Sequence, residues 1–143
     1  MLKDYISDYF MMKRIVVTGA NKGIGLAIVK RLLKENPDVY VYLGSRDIER
    51  GLAAIEQIGL EIGPAAKDRV ELLQIDVSSD ASVQKAAESI RKSLDGSIYG
   101  VVNNAGGTSG EMSARQIIDL NTYGVRRVSE AFLPLIQKDK GID

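Results

Sequence analysis

The residues whose types and spacing could do chemistry begin with three glycines near the N-terminus. Gly19, Gly23 and Gly25 stand directly after the strand-forming run 14–17 and directly before the helix-forming run 26–34. A strand, a glycine turn and a helix in this order place free backbone N–H groups at a helix N-terminus, where the helix dipole also favours negative charge. We therefore expect this turn to bind a pyrophosphate, and the alternative is a strand–helix turn without a ligand.

A second group of candidate residues follows the β-branched and aromatic run 39–43. At the end of the second strand, a dinucleotide-binding fold distinguishes between cofactors, because a carboxylate there binds ribose hydroxyls and repels a 2′-phosphate. Ser45 removes that repulsion, and the Arg46 guanidinium can hold a phosphate with paired N–H groups. Lys22, in the glycine turn, can approach the same phosphate. This pattern predicts NADP(H), and the alternative is that both cations are solvated charges and that Asp47 pairs with Arg46.

A third group ends the predicted fourth strand, 98–102, with the sequence Asn-Asn-Ala-Gly. We expect Asn103 to connect the loops that follow strands 1 and 4. The small residues Ala105 and Gly106 let the backbone approach a cofactor ribose. The alternative for two asparagines followed by glycine is a plain turn.

The predicted last helix, 113–138, carries an amide on its apolar face. The apolar residues at helical spacing are Ile117, Val125, Val128, Phe132 and Leu135. Asn121 lies in the middle of this stripe, where an amide without hydrogen-bond partners would cost roughly 1–3 kcal/mol. Its side chain is therefore expected to have a role, either functional or as a structural asparagine bound to the backbone. Pro134 should kink or end the helix.

The elements that must position these residues alternate along the chain. Strands are predicted at 14–17, 39–43, 70–75 and 98–102. Helices are predicted at 23–35, at 50–58 after an Asp47 cap, through Leu94 after a Ser79 or Asp80 cap, and at 113–138. This alternation predicts right-handed βαβ units in an α/β, Rossmann-type doubly wound parallel sheet of order 3-2-1-4, ending after the fourth strand and its helix. Ligands bind such sheets where the strand order reverses, which here is between strands 1 and 4.

Composition bounds the functional classes. The chain has 143 residues, enough for one core, and 19 basic residues balance 19 acidic ones, so nothing indicates nucleic acid or an anionic membrane as a partner. It has no cysteine and no histidine, which excludes disulfides, thiolate or histidine metal sites and Ser-His-Asp hydrolysis. No apolar run approaches the ~20 residues of a membrane span. We expect a soluble cytoplasmic protein.

The first residues form a separate segment. We predict an N-terminal extension, 1–12, ahead of a single NADP-binding domain, 13–143. Apolar residues at helical spacing predict a short amphipathic helix in the extension: Leu2, Tyr5, Ile6, Tyr9 and Phe10. Asp4 and Asp8 argue against a secretory or mitochondrial targeting segment. The alternative is that these are leader residues upstream of a start near Met12. The extension is expected to carry no chemistry.

Together these motifs resemble the classical short-chain dehydrogenase/reductase family, in its carbonyl-reductase branch. The resemblance rests on the Thr-Gly-x-x-x-Gly-x-Gly pattern of 18–25, on the Asn-Asn-Ala-Gly of 103–106 and on the segment 119–124, and it extends from about residue 13 to 136. It implies hydride transfer between NADPH and an aldehyde, ketone or quinone. The implied cofactor-binding residues are Thr18, Gly19, Asn21, Lys22, Gly23, Ile24, Gly25, Ser45, Arg46, Asp76, Val77, Asn103, Ala105 and Gly106.

Two further roles follow from the resemblance. Asp76 would face the adenine edge, with a helix-capping carboxylate as the alternative. Asn121 would complete the catalytic tetrad and bind a proton-relay water. No metal is expected.

The sequence departs from the family pattern on the catalytic side. In the family a serine after strand 5 polarises the carbonyl, and a Tyr-x-x-x-Lys pair on the next helix supplies the general acid. None of the three can be assigned here, so we expect the 143-residue chain to be inactive by itself. The alternative function is a non-catalytic dinucleotide-binding module. The open edge of strand 4, with the last helix, predicts self-association.

Overall fold

A computed structural model of the chain describes residues 2–3, 12–94, 96–136 and 138. The predicted amphipathic stripe of the extension therefore lies outside the described residues, apart from its first member, Leu2. The described part of the chain contains no helix long and apolar enough to cross a membrane.

The sheet confirms the predicted topology. Its strands are β1 (Lys13–Val17), β2 (Val39–Ser45), β3 (Val70–Gln74) and β4 (Gly100–Val102). All pairs are parallel and the order is β3-β2-β1-β4. The fold is therefore the expected Rossmann-type sheet. Strand 4 is shorter than predicted, since Ile98 lies outside it and instead forms a single parallel bridge with Ile136.

Helices cover both faces of the sheet. They are α1 (Gly23–Glu35), α2 (Ile48–Glu61), the short α3 (Pro64–Lys67) and α4 (Asp80–Ser93). The predicted caps are present: the Asp47 side chain accepts from the Arg50 N–H, and the Ser79 side chain accepts from the Ser82 N–H. Alternation along the strands divides the core, so that Val16 packs with α4 on one face while Val17 packs with α1 and α2 on the other.

The last predicted helix is not continuous. It consists of α5 (Ala114–Ile118), a π-helical turn (Asp119–Tyr123), α6 (Gly124–Phe132) and a 3₁₀ turn (Leu133–Leu135) that contains Pro134. The proline ends the helix as expected, but the prediction of one helix over 113–138 is wrong. A π-helical turn holds an extra residue, so positions before and after it do not share one face.

The predicted apolar stripe is therefore only partly buried. Val128 and Phe132 are fully buried, whereas Val125 is 37% exposed. Leu135, in the 3₁₀ turn, is partly buried against the same core.

One arginine fixes the connection between α1 and β2. The Arg69 guanidinium donates to Leu33 O at 2.6 Å, to Asn36 O at 3.0 Å and to Val39 O at 2.9 Å. The first two carbonyls lie at the C-terminal end of α1, where a positive charge is favourable and backbone acceptors lack helical partners. Arg69 thus stabilises the part of the sheet remote from β4.

Candidate functional site

The glycine turn after β1 packs against the loop after β4. Gly19 has a φ of 62°, which favours glycine, and a Cβ there would lie 2.8 Å from Ala105 Cα. A Cβ on Gly25 would meet Gly19 O and would lie 2.5 Å from Asn104 Nδ2. These glycines therefore allow the turn, the start of α1 and the β4 loop to come together.

A buried hydroxyl connects the two loops. Thr18 Oγ1 accepts from Asn104 N at 3.1 Å and from Ala105 N at 3.0 Å, and it donates to Val102 O at 3.4 Å. The residue is 1% exposed and does not line the cleft that opens beside the loops. Thr18 is therefore a structural link beneath the predicted cofactor site and not a contact surface for it.

The asparagine that connects the loops is Asn104, which the sequence interpretation missed. Its Nδ2 donates to Gly19 O at 3.1 Å. The expectation that Asn103 does this is wrong: Asn103 is exposed, and its Nδ2 donates to Ser129 Oγ at 3.3 Å. Successive side chains of an extended segment point to opposite sides, so only one of two adjacent asparagines can face β1. The sequence pattern placed the role one residue too early.

A cleft of about 1800 Å³ opens beside these loops, above the ends of the strands. It is the site that the strand order predicts, because it lies where β1 and β4 diverge. The predicted residues that line it are Gly19, Asn21, Lys22, Gly23, Ile24, Arg46, Asp76, Val77, Ala105 and Gly106. The predicted residues that do not line it are Thr18, Gly25, Ser45, Asn103 and Asn121.

Lys22 and Arg46, which both line the cleft, are available to an anion. Within the described ranges, neither Lys22 nor Arg46 forms an ion pair, and both side chains are exposed. The alternative that Asp47 pairs with Arg46 is wrong. The Asp47 carboxylate accepts from Arg50 N at 2.9 Å and lies 4.0 Å from Arg50 Nε.

Ser45 does not face the cleft. It is 1% exposed; its Oγ donates to Asp47 O at 2.7 Å and accepts from Asp47 N at 3.3 Å. A Cβ on Gly51 would lie 3.1 Å from Ser45 Cβ, so the small side chain lets α2 pack closely on β2. Ser45 therefore does not line the cleft. Its predicted role, the removal of a repulsive carboxylate at this position, stays a prediction.

Asp76 and Val77 form the far wall of the cleft. The Asp76 carboxylate accepts from Ser78 N at 3.0 Å and from Ser78 Oγ at 2.7 Å. Because Ser79 is the N-cap of α4, the helix-capping alternative for Asp76 is wrong. The carboxylate orders the turn that lines the cleft.

Asn121 lies beside the cleft, on the π-helical turn. Its Oδ1 accepts from Gly107 N at 2.9 Å, and its Nδ2 donates to Gly107 O at 2.8 Å and to Ile117 O at 2.9 Å. The amide is exposed, so its predicted position in a buried stripe is wrong. The backbone satisfies it, which was the structural alternative, and the result is a fixed loop at Gly107. A Cβ on Gly106 would lie 2.5 Å from Asn121 Oδ1.

Arg127 also lines the cleft and was not identified from the sequence. Its side chain is 21% exposed and binds Asp119, Asp80 and the Val77 carbonyl. The pKa of Arg127 is raised above its usual value, first by the hydrogen bond to Asp119. No local pattern reveals this contact, because Asp80 is 47 residues away. Among the described residues, no group of three His, Cys, Asp or Glu side chains could hold a metal ion.

Known proteins resemble this chain over most of its length. D-beta-hydroxybutyrate dehydrogenase, mitochondrial, of Bos taurus is 32% identical over 90% of this chain and 39% of the relative. The menthone neomenthol reductase of Mentha piperita superposes with a TM-score of 0.78 at 31% identity, over 90% of this chain and 57% of that structure.

The NADPH-bound carbonyl reductase from chicken fatty liver superposes with a TM-score of 0.69 at 26% identity, over 87% of this chain and 48% of that structure. This chain thus spans 39% to 57% of the length of these three proteins. A family model described as short chain dehydrogenase matches residues 13–142. With its sheet order and glycine turn, the chain belongs to the short-chain dehydrogenase/reductase family.

Proposed function

We propose that this chain is the NADP(H)-binding part of an oxidoreductase that reduces a carbonyl compound to an alcohol. The observation that carries the proposal is that Lys22 and Arg46, which have no ion-pair partner among the described residues, lie at one cleft with the glycine turn. A phosphate-bearing dinucleotide fits such a site, because the turn supplies backbone N–H groups and the cations can balance an additional phosphate. The chicken fatty liver carbonyl reductase, solved with NADPH bound, supports this choice of cofactor.

Different residues of the cleft would bind different parts of the cofactor. Gly19 and Gly23 leave the pyrophosphate free access to the start of α1. Asp76 and Val77 would contact the adenine, and Ala105 and Gly106 leave room for the other ribose. When bound, the cofactor supplies the hydride that an aldehyde, ketone or quinone accepts.

For the 143-residue chain alone, we propose binding without turnover. Apart from Tyr9 and Lys13, which precede or begin the first strand, no tyrosine of the chain stands four positions before a lysine. The described residues of the cleft therefore include no general acid of the family type. The rival function, a dinucleotide-binding module that never turns over, makes the same prediction for this chain. The two proposals predict different results for a longer protein that contains the strand-5 serine and the Tyr-x-x-x-Lys pair. Only the reductase would be active in that longer protein.

The test is a titration of the purified chain with NADPH and with NADH. NADPH should bind more tightly, and Arg46→Asp should reverse the order by weakening NADPH about 10–100-fold, the loss of one charge-assisted contact. Arg31→Asp is the matched control, because it changes the charge by the same amount on α1 at a residue that does not line the cleft. Equal affinities for NADPH and NADH in the unmutated chain would contradict the proposal.

For the setting of this activity we propose the cytoplasm. The support is the balance of 19 basic and 19 acidic residues, which gives no indication of an anionic membrane as a partner. The Bos taurus relative is named as mitochondrial, so the mitochondrion is the alternative location. A fluorescent protein fused to the C-terminus should remain diffuse, and co-localisation with a mitochondrial dye would contradict this assignment.

A further inference from the structure

Arg127 joins three parts of the cleft wall. Its Nη2 donates to Asp119 Oδ1 at 2.7 Å, its Nε donates to Asp80 Oδ1 at 2.8 Å, and its Nη1 donates to Val77 O at 3.3 Å. These partners lie on the π-helical turn, at the start of α4 and just after β3. The guanidinium therefore fixes the distance between the turn and the sheet.

The two carboxylates differ in their exposure to water. The side chain of Asp80 is 82% exposed, whereas that of Asp119 is 37% exposed. Water screens an exposed ion pair strongly, so the bond to Asp119 is the more stabilising of the two. The position of the π-helical turn thus depends on Arg127 chiefly through Asp119.

The same turn controls the loop after β4. Asp119 is its first residue, and Asn121, two positions later, makes the reciprocal pair of hydrogen bonds with the backbone of Gly107. A second contact seats the turn on the sheet, because a Cβ on Gly124 would lie 3.0 Å from Val77 Cγ2. A shift of the turn would therefore move Asn121 relative to Gly106 and Gly107, which line the cleft.

We propose that Arg127 is a positioning residue. Through Asp119 it holds the π-helical turn in the place from which Asn121 fixes the β4 loop at the cleft wall. Asp80 holds the guanidinium in place, but the effect of Arg127 on the π-helical turn does not pass through Asp80. The role is tested by the dynamics of the β4 loop and by NADPH affinity, and only the affinity rests on the proposed binding of NADP(H).

The test compares Asp119→Asn with Asp80→Asn, since each removes one carboxylate charge from the same guanidinium. In two-dimensional ¹⁵N NMR of the 143-residue chain, Asp119→Asn should shift the Asn121 side-chain amide signals and speed solvent exchange of the Gly107 amide about tenfold. Arg127→Lys, which keeps the charge and loses the planar contacts, should do the same. Asp80→Asn should leave both signals near their original values.

Two results would overturn the proposal. They are equal effects of the two carboxylate variants, and an unchanged Gly107 exchange in Asp119→Asn and Arg127→Lys. Slow exchange at Val41, in the centre of β2, reports that a variant is folded. If Asp119→Asn loses that protection, the comparison of Arg127→Lys with Asp80→Asn decides the question.

The second readout is NADPH affinity. Asp119→Asn and Arg127→Lys should weaken it more than Asp80→Asn does. If the unmutated chain bound no NADPH, the proposed function would fail while the NMR comparison would still decide the role of Arg127.

Discussion

The sheet has two regions that are built differently, although both contribute to one cleft. In the β1–β2–β3 region, β1 pairs with β2 over Lys13–Val17, and uninterrupted α-helices connect the strands. In the β4 region, the strand has three residues, and the helix that follows is interrupted by a π-helical turn. The first region is specified by local patterns, whereas the second depends on side chains that reach across the sheet. Lys22 and Arg46, the cations that we propose to bind the cofactor, belong to the first. The serine and Tyr-x-x-x-Lys pair implied by the family resemblance would lie beside the second.

The largest expected difference between the two regions is that one binds the cofactor while the other does not support turnover. If the β1–β2–β3 region binds NADPH while the β4 region lacks a general acid, reduction of a ketone or quinone by the chain should stay at background. General acid catalysis alone is typically worth about 10²–10⁴-fold. The measurement is NADPH oxidation at 340 nm with and without substrate. A control without protein defines the background, and substrate-dependent oxidation well above it would show that the β4 region is catalytically complete.

Thr18 is the junction of the two regions, so Thr18→Val should destabilise the chain strongly although it keeps the shape of the side chain. It leaves the N–H groups of Asn104 and Ala105 without their acceptor, at a cost of about 2–4 kcal/mol in the free energy of unfolding. Urea denaturation measures this loss. Thr18→Ser keeps the hydroxyl and should recover most of the stability. Equal losses for the two variants would mean that the methyl group, and not the hydrogen bonds, joins the regions.

Arg69 offers the complementary test within the β1–β2–β3 region. Arg69→Met removes the donor to three backbone carbonyls and should cost about 1–3 kcal/mol of unfolding free energy. NADPH affinity should remain within about twofold, because Arg69 does not line the cleft. Arg91→Met is the control, since it removes only an exposed ion pair with Glu88 and should change stability by less than about 1 kcal/mol. A large loss of affinity in Arg69→Met would show that the region responds as a unit with the cleft.

The smallest expected effect lies at the outer edge of β4. Ile98 N donates to Leu135 O and Tyr99 N donates to Arg14 O, so the amides of Gly100 and Val102 point away from β1. Among the described residues they have no strand to pair with. We propose that a second copy of the chain pairs there weakly, with the exposed Leu133 beside it.

Hydrogen exchange can resolve this pairing residue by residue. In dilute solution Gly100 and Val102 should exchange faster than Val101, whose amide faces β1. At high protein concentration only those two should become protected, while light scattering reports a growing dimer fraction. A monomer at all concentrations with slow exchange at Gly100 and Val102 would mean that something else covers the edge.

Local patterns predicted the first region well for a physical reason. The glycine turn, the α1 limits of Gly23–Glu35 and the Asp47 and Ser79 caps depend on residues only a few positions apart. The strand order followed from alternation and handedness. These features therefore needed no knowledge of distant contacts.

The errors cluster where distant contacts decide. The choice between Asn103 and Asn104 depends on which side chain faces Gly19, some 85 residues earlier. Arg127 joins the π-helical turn to the Val77 carbonyl, which lies 50 residues earlier in the chain. Sequence periodicity carries no information on either contact. Most residues of the cleft wall could therefore be named from the sequence, but the contacts between them could not.

The Thr18 hydroxyl also sets an order of assembly. It accepts from amides 86 and 87 positions later in the chain. Contacts of such long sequence separation form slowly, because a long loop must close before any bond compensates its entropy. During synthesis, β1 leaves the ribosome first, yet its edge toward β4 stays open until residue 105 has emerged. The two loops that shape the cleft can therefore meet only after α1 to α4 and β2 to β3 have been made.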